Sequence, residues 1–245
     1  FLVLPSPSAV GWEPDGIRLA TGATPAAATG TPYREALGSR YYRMVTYGYV
    51  LALGSQVGGI QQLVKLVEDR TDERTAQFAI TTLAATSVVA RLIGGRAVSV
   101  VRMVGLTAVL AGLQAVALVS LAVSSSTVLI FLAIVLFGAT VGNLLMLQPL
   151  LIAERFGVLD YPKIYGRSQA IAIVGVAGGP LLIGWLYDVF GSYEWPYVIA
   201  GGLCLVGAVV ISRAGPAERP ERVSPTPSST SAAPWPPPAT LPVDG

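Results

Sequence analysis

The sequence predicts an all-α membrane protein with six transmembrane helices. Three observations carry this expectation. Of 245 residues, 53% are hydrophobic and only 12% charged, about half the charged share of an ordinary soluble domain, and the mean hydropathy is +0.62. A soluble fold of this size would need far more charge to cover its surface. Six apolar runs follow one another with short links, each near the ~20 residues that cross a bilayer core. The basic residues also segregate between the two sets of links.

Residues 1–40 read as a largely disordered cytoplasmic loop. Gly, Pro, Ser, Thr and Ala dominate from Pro5 to Pro32, with no apolar run long enough to span. Phe1-Leu2-Val3-Leu4 reads as the tail of a hydrophobic segment, and no charged signal-peptide start precedes it. The chain is therefore expected to be a fragment or a truncated product. Residues 41–213 form the six-helix domain, with spans expected near Met44–Leu66, Ala76–Ile93, Met103–Val123, Val128–Ile152, Ser168–Tyr187 and Trp195–Ile211. No Asp or Glu falls in the interior of any span. The spans are expected to be helical, because an open strand in lipid leaves backbone groups unpaired. Residues 214–245 hold nine of the 18 prolines among Ser, Thr and Ala, and read as a disordered cytoplasmic tail that cannot bury a core.

With six spans the links alternate sides. Arg18, Arg34, Arg40, Arg43, Arg91, Arg96, Arg102, Arg155, Lys163, Arg167, Arg213, Arg219 and Arg222 fall on the side of the N-terminal loop. Only Lys65, Arg70 and Arg74 fall on the other, 13 against 3. The positive-inside rule then puts both termini in the cytoplasm of a multi-pass plasma-membrane protein. Tyr193, Trp195 and Tyr197 fit an aromatic anchor at the outer start of the sixth span.

Several chemistries are excluded. With no histidine there is no Ser-His-Asp triad, Cys-His pair or histidine metal site. The single Cys204 permits no internal disulfide, and a net charge of +2 argues against a nucleic-acid partner. No catalytic set, metal or cofactor is expected. The link Lys65–Arg74 is acidic but lacks the glycine and ligand spacing of a calcium loop, so it reads as a solvated charged hairpin.

The second span ends in Ser87-Val88-Val89-Ala90-Arg91-Leu92-Ile93-Gly94-Gly95-Arg96. Arg91 has two readings. It can snorkel to the interface, or it can hold a carboxylate in paired hydrogen bonds. Gln56, Gln62, Gln114, Asn143, Gln148 and Gln169 are amides within or beside the spans. Each can serve interhelical hydrogen bonding, or, as an inward-facing set, line a polar cavity. Ser55, Gly59 and Gln62 share one helical face, as do Thr140, Asn143 and Leu147.

The Arg91-x-x-Gly94-Gly95-Arg96 run and the basic link after it resemble the loop between the eighth and ninth helices of the major facilitator superfamily. The superfamily's Gly-x-x-x-Asp-Arg latch is altered here, since Ser99 and Val100 stand where Asp and Arg would. Gly175, Gly178-Gly179-Pro180, Gly184-Trp185-Leu186-Tyr187-Asp188 and Gly191-Ser192-Tyr193 resemble its eleventh helix. Pro5-Ser6-Pro7, Gly11 and Pro14-Asp15-Gly16 resemble the start of its central loop. Glu154-Arg155-Phe156-Gly157 with Tyr165-Gly166-Arg167 resembles the loop between its tenth and eleventh helices.

The resemblance spans about residues 1–212 and implies the C-terminal half of a twelve-helix bundle, nearest the monocarboxylate or oxalate–formate porters. It implies a secondary transporter of a small organic anion, working by alternating access. Arg91, Ser87, Gln56 and Asn143 would bind substrate. Gly95, Arg96, Gly178, Gly179, Pro180, Gly184 and Asp188 would serve gating and packing. The porters' Asp-x-x-x-Arg has Ser87 in place of Asp, and the fifth span lacks the lysine of the oxalate type. The expected partners are the lipid bilayer, the anion, and a missing N-terminal six-helix half or a second copy of the chain. A six-helix channel, or a structural membrane protein without transport of its own, is the alternative class.

Overall fold

Seven helices make up the described part of the chain, residues 30–97 and 101–215, in a computed structural model. They are α1 (Tyr33–Gly38), α2 (Arg40–Glu68), α3 (Glu73–Ala97), α4 (Met103–Val123), α5 (Thr127–Phe156), α6 (Tyr161–Phe190) and α7 (Glu194–Ser212). Helices α2 to α7 are each long and apolar enough to cross a membrane. Among the described residues there is no strand, only an isolated bridge between Gly30 and Gly157. The central-loop motif up to Gly16, the latch positions Ser99 and Val100, and the tail from residue 216 lie outside the described residues.

The six expected spans coincide with α2 to α7, and the third matches at both ends. The others run further, because hydropathy marks only the stretch inside lipid while the hydrogen-bonded helix continues into its polar ends. Ser39 illustrates this. Its Oγ accepts from the Tyr42 backbone N–H at 3.1 Å and caps α2 five residues upstream of the apolar run. Helix α6 likewise starts at Tyr161 with Pro162 in its first turn, where the missing N–H costs nothing. It stops at Gly191, whose φ of +67° closes the helix in the left-handed conformation.

One expectation is corrected. Residues 1–40 read as a loop, yet Tyr33–Gly38 forms α1. Six residues carry too few turns for sequence periodicity to reveal them, and tertiary contacts make this helix. The Tyr33 N–H donates to Asp160 Oδ2 at 3.0 Å, and the Thr31 N–H donates to the Phe156 carbonyl at 2.8 Å. The segment is thereby pinned to the link between α5 and α6. Lys163 and the Tyr33 N–H together hold the Asp160 carboxyl below its ordinary range.

The helices pair with an internal symmetry. Helix α2 packs on α6 and α7, and α5 packs on α3 and α4. Exchanging the unit α2–α3–α4 for α5–α6–α7 maps these seams onto each other and leaves the α4–α7 contact in place. This is the arrangement of two inverted three-helix repeats. Small residues permit the approach. On α2, Gly54 and Gly58 face Gly175 and Gly179 of α6, backbone against backbone, so that a Cβ on Gly179 would run into the Gly54 carbonyl. Gly48 meets Gly207 on α7 in the same way. In lipid, where burial of apolar surface does not drive association, such contacts hold helices together.

Buried polar groups join the seams. Gln114 on α4 is fully buried. Its Nε2 donates to the Ala52 carbonyl on α2 (2.9 Å) and to Cys204 Sγ on α7 (3.1 Å), and its Oε1 accepts from Thr140 on α5 (3.5 Å). One side chain thus ties four helices together. Nearer the arginine-rich end, Thr46 and Ser168 share a hydrogen bond of 3.0 Å and Gln148 Nε2 donates to Ser168 at 3.3 Å.

Two further readings are corrected. Of the three aromatics taken as an interfacial anchor, only Trp195 is exposed. Tyr197 is fully buried and donates to the Gly59 carbonyl at 2.7 Å, and Tyr193 donates to Gln62 Oε1 at 3.2 Å. The link after α2 is also more than a solvated hairpin. Arg70 donates to the carbonyls of Leu121, Ala122 (2.6 Å) and Ser124 (2.8 Å), satisfying the free carbonyls at the C-terminus of α4.

Candidate functional site

Helices α3 and α5 meet through small residues, and this seam carries three of the four expected binding residues. Gly138 faces the backbone of Leu83, and Gly142 faces Ser87 and Arg91. A Cβ on Gly142 would collide with the Nε and Cγ of Arg91 and with the Ser87 Oγ. The Arg91 side chain therefore lies across α5 at a glycine. Ser87 is buried beside it, whereas Arg91 is exposed in the six-helix bundle. Arg91 sits six residues before the end of α3, about 9 Å inside the helix terminus.

Asn143 faces the other flank of the seam. Its Nδ2 donates to the Ala90 carbonyl on α3 at 3.1 Å and to the Ala139 carbonyl at 3.0 Å. Its Oδ1 is buried without a hydrogen-bond partner among the described residues, and lies against Gly94. Asn143 also lines an apolar crevice with Ala90, Ile93, Leu106, Leu110 and Met146. Neither Arg91 nor Ser87 lines that crevice. The amide thus bridges helices with its donor and keeps one unused acceptor.

Gln56 lies on α2, apart from this cluster. It is almost fully buried, and its Oε1 has no partner among the described residues. Sequence periodicity places it on the face of α2 that carries Tyr49, Ala52 and Leu63, all fully buried.

The residues expected to gate or pack divide by position. Gly179 is in backbone contact with Gly54, while a Cβ on Gly178 or Gly95 would meet nothing within 4 Å. Among the described residues Gly184 has only Gln62 Nε2 in reach, at 3.9 Å. Pro180 lies inside α6, which runs on without interruption. Asp188 is exposed in the last turn of α6, and Arg96 is exposed at the end of α3.

Sequence reading missed Gly142, which shapes the course of Arg91, and the pair Gly54 and Gly58. A signal existed for each. Gly54-x-x-x-Gly58, Gly138-x-x-x-Gly142 and Gly175-x-x-x-Gly179 all have the spacing that puts two glycines on one helix face. Pro149 inside α5 was also missed, and it stands one helix-turn before the end of the apolar run.

The cover of the spans is uneven. In α3 and α6 only 17% and 22% of the membrane-spanning window is buried, against 44–56% in the other four. These two are symmetry mates, each the middle helix of its repeat, and each leaves an open face.

Comparison with curated proteins finds no match for the chain. The family profile of the Major Facilitator Superfamily matches residues 21–242. Six spanning helices in two three-helix repeats, matched over all but the two ends of the chain, fit half of such a bundle. The chain belongs to the major facilitator superfamily, a family of membrane transporters.

Proposed function

We propose that the protein is the C-terminal half of a secondary transporter that moves a small organic anion, such as a monocarboxylate, by alternating access. The observation that carries this reading is Arg91 laid across Gly142 with an exposed side chain. A guanidinium facing hydrocarbon is costly. Its open side is better matched to a water-filled cavity, and the sparse cover of α3 and α6 supports a second six-helix bundle closing over that face. The guanidinium would grip a carboxylate through charge-assisted hydrogen bonds worth ~1.5–3 kcal/mol each. Ser87 supplies a neighbouring hydroxyl donor, while the buried acceptor oxygens of Gln56 and Asn143 suit a hydroxyl of the substrate and not its carboxylate. The 13-to-3 distribution of basic residues supports cytoplasmic termini in a plasma membrane.

The test is uptake of labelled short carboxylates into vesicles carrying the full-length protein, corrected for inserted amount. Arg91→Gln is expected to raise the half-saturation concentration by roughly tenfold or more. Arg91→Lys restores only part of the loss, because it keeps the charge without the fork. If Arg91 only snorkels, Arg91→Lys behaves as wild type and Arg91→Gln lowers insertion rather than affinity. That outcome removes Arg91 from the binding site.

A further inference from the structure

A crevice at the arginine-rich end of the α2–α6 seam is lined by Arg43, Thr46 and Tyr47 from α2 and by Arg167 and Ile171 from α6. Among the described residues no carboxylate lines it. The ion pairs among the described residues are Lys65–Glu68 and Lys163–Asp160, so neither arginine is neutralised by an acid there. Further along the same seam an apolar crevice of about 240 Å³ runs past Leu51 and Gly54 on α2 and Gly175, Gly178 and Leu182 on α6.

The two crevices share one flank. On α2, positions 43, 47, 50 and 54 recur at the i, i+4, i+7, i+11 spacing of a single helix face. On α6, positions 167, 171, 178 and 182, at i, i+4, i+11 and i+15, also fall on a single face. Eleven residues from Arg43 to Gly54 rise about 16 Å, which is half of the ~30 Å hydrocarbon core. The track therefore has two cations at the level of the headgroups and an apolar groove one leaflet deep. Gly178 takes no part in contact between the described helices, since a Cβ there would meet no described residue within 4 Å. It leaves the groove open instead.

We propose that this flank binds an anionic phospholipid of the leaflet on the arginine-rich side, with the phosphate between Arg43 and Arg167 and one acyl chain along the groove past Gly178. A neutral lipid would fill the groove but gain less from the arginines. Each basic side chain at an anionic headgroup favours binding by about fivefold, so the pair gives roughly 25-fold selectivity.

The experiment measures thermal unfolding of the purified full chain in neutral detergent, titrated with phosphatidylglycerol, phosphatidylcholine or inorganic phosphate. Phosphatidylglycerol is expected to raise the midpoint at roughly 25-fold lower concentration than phosphatidylcholine, and phosphate alone is expected to leave it unchanged. The double substitution Arg43→Gln with Arg167→Gln brings the two lipids to the same requirement. Gly178→Leu, which fills the groove without touching a helix contact, weakens protection by both lipids. Three results would overturn the proposal. They are equal protection of the wild type by both lipids, protection by inorganic phosphate equal to that by phosphatidylglycerol, and an undiminished lipid preference in the double variant.

Discussion

Arg91 on α3 crosses α5 at Gly142, where even a methyl group would displace the middle of the arginine side chain. The course of the guanidinium is therefore set by the absence of a side chain on another helix.

Gly142→Ala should change substrate affinity through Arg91. The expected outcome in vesicle uptake is a half-saturation concentration raised by roughly tenfold, the loss of about one charge-assisted hydrogen bond. Inserted amount should change little, since the atoms displaced most belong to the exposed Arg91 side chain and the other is the Ser87 hydroxyl, which can rotate away. In an Arg91→Gln background the alanine should add no further loss, because residues in contact are not additive. Equal effects in both backgrounds would show that Gly142 acts on helix packing alone.

Two adjacent glycines on α6 should behave differently. Gly179→Ala places a methyl group against the Gly54 carbonyl and should destabilise the bundle by ~1–3 kcal/mol, the usual cost of overpacking. Gly178→Ala enters open space and should stay within about 0.5 kcal/mol of wild type. Reversible unfolding in mixed micelles measures both.

Single cysteines report the topology. Ser125 lies in the exposed link between α4 and α5, and Ser212 ends α7 at the opposite end of the bundle. In intact cells an impermeant thiol reagent should label a cysteine at 125 and leave one at 212 unmodified. Cys204 is fully buried and held between Gln114 and the Ala111 carbonyl, so the native cysteine should stay silent until the protein is unfolded. Labelling at both introduced positions from outside would refute cytoplasmic termini.

Acid should release α1. Asp160 is held below its ordinary range by Lys163 and the Tyr33 N–H. Its ionised form therefore contributes stability that is fully present above the unfolded-state value of ~3.9, and that contribution is lost as pH falls through the lower folded-state value. Relative to the intrinsic exchange rate at each pH, the amides of residues 31–38 should be protected near neutral pH and should lose that protection as pH drops below about 4. Asp160→Asn should abolish that pH dependence, leaving the segment at neutral pH as weakly protected as the wild type is in acid.

The six spans were legible because the bilayer makes one demand of every crossing segment. It must be apolar over a fixed length and helical throughout. That demand acts on contiguous residues, and Met103–Val123 was fixed at both ends by it. The segregation of arginines was equally legible, since charge is excluded from lipid wherever it sits in the fold. Arg91 could be singled out for the same reason.

Which residues meet was decided by tertiary structure. Gly178 and Gly179 are neighbours in sequence with the same chemistry, yet the 100° between successive helix positions turns one toward α2 and leaves the other open. Tyr193 and Tyr197 carry the composition of an interfacial anchor, but their hydroxyls reach Gln62 and the Gly59 carbonyl across the bundle. Helix α1 exists because Asp160, 127 positions away, accepts its first N–H. The sequence by itself determined that the chain crosses a membrane six times and which end carries the charge, because hydrophobicity and charge are properties of residues. The course of Arg91 over Gly142 belongs to the tertiary structure, because a gap for one side chain is made by the residue facing it.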